Sequence, residues 1–223
     1  MNFKRDTKFS FSTWLKDNCL YFLAFILPVL SMLIVYFFKG VAPFGDQMYL
    51  RSDCYHQYTP YLQILQDKLH SGRSLFYTWE IGAGMNFVAI AAYYLSSPLN
   101  LLTILWPGNM ADYVRFFIIV KMGLAGFSAT YYLVKRFHKK QVPAVIFGMI
   151  YALSAYFAAF SWNIMWLDCI WLLPLILYGA EQLVREKKGL FYCITLGLSI
   201  LSNYYISIMI CIFMVMYVIV QVI

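Results

Sequence analysis

Apolar runs of membrane length alternate with short polar knots along almost the whole chain. The runs cover residues 19–38, 87–106, 114–134, 142–160, 169–184 and 190–223. A helix needs about 20 apolar residues to cross the hydrocarbon of a bilayer, so the pattern predicts an all-α, polytopic helical membrane protein. Two runs carry internal breaks. The last is too long for one span, and Ser202, Asn203, Tyr204 and Tyr205 interrupt it. It reads as two helices meeting near Asn203. The second is broken by Ser96, Ser97, Pro98 and Asn100 and closed by Pro107. Proline inside a helix removes a hydrogen bond and clashes with the preceding turn. Such backbone is tolerated at membrane depth only against protein or a wet cavity.

Composition agrees with the pattern. The 223 residues are 62% hydrophobic and 12% charged, about half the charge of an ordinary soluble domain. The net charge of +7 therefore points to no nucleic-acid partner, because basic residues of a membrane protein collect in cytoplasmic loops. That rule orients the chain. With the N-terminus inside and 87–106 not crossing, eleven basic residues fall inside. They are Lys4, Arg5, Lys8 and Lys16, then Lys135, Arg136, Lys139 and Lys140, then Arg185, Lys187 and Lys188. Four fall outside: Lys39, Arg51, Lys68 and Arg73. A crossing 87–106 would reverse the bias. Residues 1–18 are thus expected to form a cytoplasmic tail, and 39–113 one outer loop region with a re-entrant or interfacial segment. The first run is too long for a signal-peptide core and reads as an uncleaved span, kinked at Pro28. Because the sequence stops inside an apolar run, 1–223 is expected to be the N-terminal part of a larger transmembrane domain, inactive by itself.

Within the outer region, Thr59, Pro60 and Gly72 mark the start and end of a short helix. Leu62, Leu65 and Leu69 share one face, with Tyr61 and Ile64 nearby, and Gln63, Gln66, Asp67 and His70 lie largely opposite. The pattern suits a helix lying on the membrane surface and equally one packed on the bundle. The cysteines are Cys19, Cys54, Cys169, Cys193 and Cys211. An odd number without CxxC spacing argues against a disulfide framework or zinc site. Cys54 is expected to face water beside Asp53.

The chemistry concentrates in "GDQMYLRSDCYHQYTP", residues 45–60. Asp46 and Asp53 are too far apart for a DxD metal pair. Asp53 and His56, at i and i+3, make a weak metal pair, so no metal site is assigned and a divalent cofactor has no support in the sequence. Asp53 precedes the short helix at the water–lipid boundary, where partial desolvation makes a carboxylate a better proton acceptor; the plain alternative is a solvated loop aspartate. Asp168 is either the N-cap of the helix that follows or an intramembrane carboxylate, a costly and usually functional feature. Arg115 and Lys121 suit a lipid phosphate or simple snorkelling to the headgroups. Gly82 to Gly84 suits a plain turn more than a phosphate nest. The pairs Tyr93–Tyr94, Tyr131–Tyr132 and Tyr204–Tyr205 suit an interfacial belt, with some able to stack on a sugar ring. Walker, HExxH and GxSxG motifs are absent.

The stretches "PFGDQMYLRSDCYHQYTPYLQILQDKLHSGRSLFYTWEIGAGMNF", "AYYLSSPLNLLTILWP", "MWLDCIWLLPLILYGAE" and "LSNYYISIMICIFMVMY", in this order, resemble the N-terminal region of the YfhO family of bacterial membrane proteins. The resemblance implies a GT-C-like glycosyltransferase fold and transfer of a sugar from a polyprenyl-phosphate carrier to a cell-envelope acceptor such as teichoic acid, on the outer face. It implies a lipid-linked sugar donor, an envelope polymer and membrane lipids as partners. By the same resemblance Asp53 is the catalytic base and Asp168 a second acidic residue. His56, Arg115, Lys121, Tyr93, Tyr94 and Asn203 are the substrate-binding candidates. The rival classes are a multi-pass transporter or flippase of lipid-linked precursors, with 93–107 lining its path, and a non-catalytic scaffold.

Overall fold

The fold is seen in a computed structural model that describes residues 11–223. Lys4, Arg5 and Lys8 of the expected tail lie outside the described residues, and only the backbone is described from 11 to 17. Helix α1 (Phe11–Lys39) carries the first span over Asn18–Lys39. Helices α4 (Met110–Phe137), α7 (Leu167–Glu186) and α9 (Tyr204–Val222) are also long and apolar enough to cross. So is the pair α5 (Val142–Ala152) and α6 (Ala155–Phe160), interrupted only at Leu153 and Ser154. The shorter α8 spans Leu190–Ser202. The protein is an all-α polytopic membrane protein, as its sequence pattern predicts.

Two spans form the centre. Half or more of the most apolar stretch is buried in α4 (61%) and α7 (50%), against 17–22% in α1, α5–α6 and α9. The outer helices accordingly turn large apolar side chains such as Ile34, Phe147 and Ile212 outward, as lipid contact requires. Small residues bring α1, α4 and α5 together. A Cβ on Gly126 of α4 would run into the Ala24 carbonyl oxygen of α1, and one on Gly148 of α5 into the Thr130 hydroxyl of α4.

The end of α1, the start of α4, the α6–α7 junction and the α8–α9 turn share one face, called here the loop face. Polar contacts between their flanking residues fix this. Arg136 and Glu181 meet on the opposite face at 3.1 Å, where Tyr132 and Tyr217 also donate to Glu181. The turn at Asn203 has a physical cause: its side-chain oxygen accepts from the Ile206 amide at 3.0 Å and caps α9.

The segment 40–109 covers the loop face. It contains a π-helical turn (Cys54–Tyr58), α2 (Thr59–Ser71), a two-stranded hairpin of β1 (Tyr77–Thr78) and β2 (Met85–Asn86), α3 (Phe87–Ile90), a second π-turn (Ala91–Leu95) and a 3₁₀ helix (Pro98–Leu105). The chain bends by 105° between the second π-turn and the 3₁₀ helix, at the Ser-Ser-Pro break. Helix α2 packs on protein. Leu62 and Leu65 are buried in a cluster with Phe87, Ile90, Tyr113 and Phe117. Gln66 is buried too, although helical periodicity puts it on the polar side; its amide donates to the Thr103 and Trp106 carbonyls at 2.7 and 2.8 Å. The Thr103 carbonyl also accepts from the Trp106 backbone amide at 3.0 Å, so the Gln66 side chain ties α2 to the end of the 3₁₀ helix.

Candidate functional site on the loop face

Asp53 stands directly before the first π-turn and is half-buried. Ser52 turns the chain into it with φ of 49°, a left-handed conformation unusual for serine. Among the described residues, no hydrogen bond or ion pair holds the Asp53 carboxylate. π-turns cluster at functional sites because the extra residue re-aims side chains. Here two of them face each other. Tyr58 of the first and Tyr94 of the second have ring centroids 5.5 Å apart, and Tyr61 meets Tyr94 at 5.2 Å. Burial, and then the nearby Asp53 charge, push the Tyr58 hydroxyl up from its ordinary pKa, so it stays protonated and serves as a donor. It donates to Asn163 Oδ1 at 2.9 Å.

Tyr93 extends this aromatic wall to the α8–α9 turn. Its ring lies 5.8 Å from Tyr204 and 6.4 Å from Tyr205, and its carbonyl accepts from the Asn203 amide at 3.1 Å. The structure therefore brings together Asp53, Tyr93, Tyr94 and Asn203. His56 is exposed, packs edge-on against Tyr55, and lines a separate cavity of about 660 Å³ with Gln63 and Asn109.

The other candidates are held by neighbours. Lys121 and Asp168 pair at 2.6 Å with both side chains 1% exposed. Lys121 also donates to the Ile164 carbonyl at 2.9 Å, and the Trp171 indole donates to Asp168 at 3.1 Å. Neither reaches the surface, so Lys121 does not snorkel. Asp168 lies in the first turn of α7, whose N-cap is Trp166. Arg115 pairs with Asp112 one turn away. Cys54 is fully buried, and burial pushes its thiol up to about 12. This overturns the expectation of a water-facing thiol: the π-turn points Asp53 and Cys54 to different sides.

The loop between α6 and α7, "SWNIMW" at 161–166, joins these parts. Ser161 bonds Tyr49, Asn163 accepts from Tyr58, and Ile164 accepts from Lys121. Trp162 stacks on Tyr58 with planes 4° apart. Sequence reading passed over this loop; its signal was an asparagine and a serine inside an otherwise apolar stretch. Among the described residues, no three His, Cys, Asp or Glu side chains are grouped to hold a metal ion.

The arrangement offers one unheld carboxylate beside an aromatic wall. Such a wall suits stacking on a sugar ring or a lipid chain, and such a carboxylate suits proton transfer.

Comparison with known proteins places the chain. The family model described as "Bacterial membrane protein YfhO" matches residues 24–223. The "Uncharacterized protein YfhO" of Bacillus subtilis (strain 168) is 24% identical over 215 residues, covering 85% of this chain and 24% of the relative. The chain thus spans about a quarter of that relative's length. No solved structure matches it. A family match across nearly all the described spans, on an all-α multi-pass fold, means that the chain belongs to the YfhO family of bacterial membrane proteins.

Proposed function

We propose that the chain forms the N-terminal part of a GT-C-like membrane glycosyltransferase. It moves a sugar from a polyprenyl-phosphate carrier to a cell-envelope acceptor such as teichoic acid, with the loop face outside and the N-terminus cytoplasmic. The observation that carries this reading is the unheld Asp53 carboxylate, set half-buried beside the tyrosine wall. A base must have its acceptor oxygens free for the substrate proton. In the proposed step an acceptor hydroxyl oxygen bonds to the anomeric carbon, the bond from that carbon to the carrier phosphate breaks, and the hydroxyl proton passes to Asp53. Lys121 and Asp168 act behind the site: their pair fixes the 161–166 loop through Ile164 and so positions Tyr58 and Asp53. That mutual neutralisation speaks against a transport path lined by these two charges.

The test is Asp53→Asn in the protein in its native membrane, with transfer of radiolabelled sugar from a polyprenyl carrier as readout. Loss of a general base costs about 10²–10⁴-fold in rate, and protein abundance should stay normal. Asp46→Asn should be milder, because Asp46 is exposed. Wild-type transfer by Asp53→Asn would remove Asp53 as the base.

A further inference from the structure

Beside Asp53, a cleft of about 660 Å³ opens between the end of α1, the end of α6 and the residues leading to the π-turn. Its walls change character with depth. Met32 and Val35 of α1 and Ala158 of α6 make the apolar part. Met32, Val35, Tyr36 and Lys39 recur at helical spacing on one face of α1. The cleft therefore runs ~10 Å down the span from Lys39, at 1.5 Å per residue. Val35 and Ala158 are exposed, and both sit on membrane-spanning helices, so this wall is open sideways to lipid.

The mouth is cationic. Lys39 and Arg51 both line it and both are exposed. Among the described residues neither has an ion-pair partner, in contrast to Arg115 and Lys121. Between mouth and apolar wall sits Tyr36, 2% exposed, whose buried hydroxyl makes no well-formed hydrogen bond; its polar neighbour is Tyr49, whose own hydroxyl bonds Ser161. A buried hydroxyl without a well-formed bond costs free energy, and a ligand oxygen in the cleft would satisfy it. Among the described residues no carboxylate lines the cleft itself, and the two cations at its mouth outweigh the single charge of Asp53 beside it.

We propose that this cleft binds a lipid bearing a phosphate headgroup, which enters sideways from the bilayer between α1 and α6, with its phosphate on Lys39, Arg51 and the Tyr36 hydroxyl and its chain along Met32, Val35 and Ala158. Arg51 suits phosphate because its guanidinium offers paired donors, and a lipid source follows from the apolar lateral wall. Arg51 and Ser52 line the cleft and Asp53 follows at once, so the headgroup lies next to the unheld carboxylate. Read as the seat of the donor's phosphate, the site rests on the transferase reading. As a lipid-phosphate site it stands without it.

The experiment is direct binding by calorimetry to the protein in nanodiscs of uncharged lipid, with geranyl phosphate, geraniol and inorganic phosphate as probes. Geranyl phosphate should bind most tightly. Arg51→Ala and Lys39→Ala should each weaken it roughly tenfold, while Arg51→Lys should retain part of it. Tyr36→Phe, which removes only that hydroxyl, should weaken it by a smaller factor. Equal binding of geraniol would reduce the cleft to an apolar groove and overturn the proposal. Inorganic phosphate binding as tightly as geranyl phosphate would replace the lipid with a free anion and overturn it too. So would unchanged binding in both alanine variants. Asp53→Asn, which removes a negative charge beside the phosphate, should bind geranyl phosphate at least as tightly as wild type does; weaker binding would overturn the placement. If binding follows this pattern while the full-length wild-type protein in its native membrane transfers no sugar, the site stands and the transferase reading falls.

Discussion

Lys121 Nζ lies 2.6 Å from Asp168 Oδ2, although 47 residues separate them, and the pair ties the first turn of α7 to α4, the two most enclosed spans. Each charge is out of reach of water and lipid headgroups. Their mutual attraction, the Ile164 carbonyl and the Trp171 indole replace the lost hydration. Removing one partner leaves the other as an uncompensated buried charge, which costs about 3–5 kcal/mol, whereas replacing both with apolar residues of similar volume is often close to neutral. Lys121→Met or Asp168→Leu alone should therefore strongly lower the thermal unfolding temperature in detergent. The double substitution should recover most of the loss. Additive losses in the double variant would show that the pair is not the energetic unit.

That pairing also shows where sequence reading stops. The spans, the break at Asn203 and the sharp bend at Ser96–Pro98 were legible, because hydrophobic period and helix breakers act locally. Asp53 stood out because a carboxylate, a histidine and tyrosines crowd into one short polar stretch. The sequence offers Asp168 as an N-cap or an intramembrane carboxylate and Lys121 as a phosphate ligand or a snorkelling lysine, since nothing local tells a buried residue which distant residue faces it. Gln66 was read as polar surface for the same reason: its partners, the Thr103 and Trp106 carbonyls, come from a bend about 40 residues later. The cleft at Lys39 and Arg51 is assembled from three stretches and has no signature in any of them.

Cys54 gives a chemical readout of the first π-turn. Its thiol is fully buried and its pKa is raised to about 12 by burial, against about 8.5 for a free cysteine. A water-soluble maleimide should therefore leave Cys54 unmodified in the folded protein at pH 7–8, from either side of the membrane, and modify it only after unfolding. The linked pH effect has a definite sign. Folding raises this pKa, so the thiol's contribution to stability is complete below the unfolded value and is lost as pH rises from there through about 12. Cys54→Ser should remove that part of the alkaline sensitivity. Rapid modification of native protein at pH 7 would mean that the π-turn opens in solution.

Two glycines should answer substitution in opposite ways. Gly126 sits against the Ala24 carbonyl and Pro28 of α1, so a side chain there forces α1 and α4 apart. Gly126→Val should cost about 1–3 kcal/mol by overpacking and lower the yield of folded protein. Gly197 in α8 has nothing within 4 Å of a Cβ position. Gly197→Ala should instead be stabilising by up to about 0.5–1 kcal/mol, because glycine inside a helix carries an entropic penalty that alanine does not. Thermal melts of the two variants side by side test the close approach of α1 and α4 without touching the loop face.

The Tyr58 hydroxyl holds the 161–166 loop against the π-turn, and its removal should be felt locally. Asn163 is 1% exposed; its Oδ1 accepts from Tyr58 at 2.9 Å, while its Nδ2 has no partner. Tyr58→Phe keeps the ring that stacks on Trp162 but strips the amide of its remaining bond. An unsatisfied buried group of this kind costs about 1–3 kcal/mol. Amide exchange should quicken in 161–166, and much less in α4, where the Lys121–Asp168 pair is untouched. Asn163→Leu alone should strand the Tyr58 hydroxyl in turn. With both changes no polar group is stranded, so the double variant should lose less stability than the sum of the two single losses. If the losses simply add, Tyr58 and Asn163 do not act as a pair, and the tyrosine wall is held in place by packing alone.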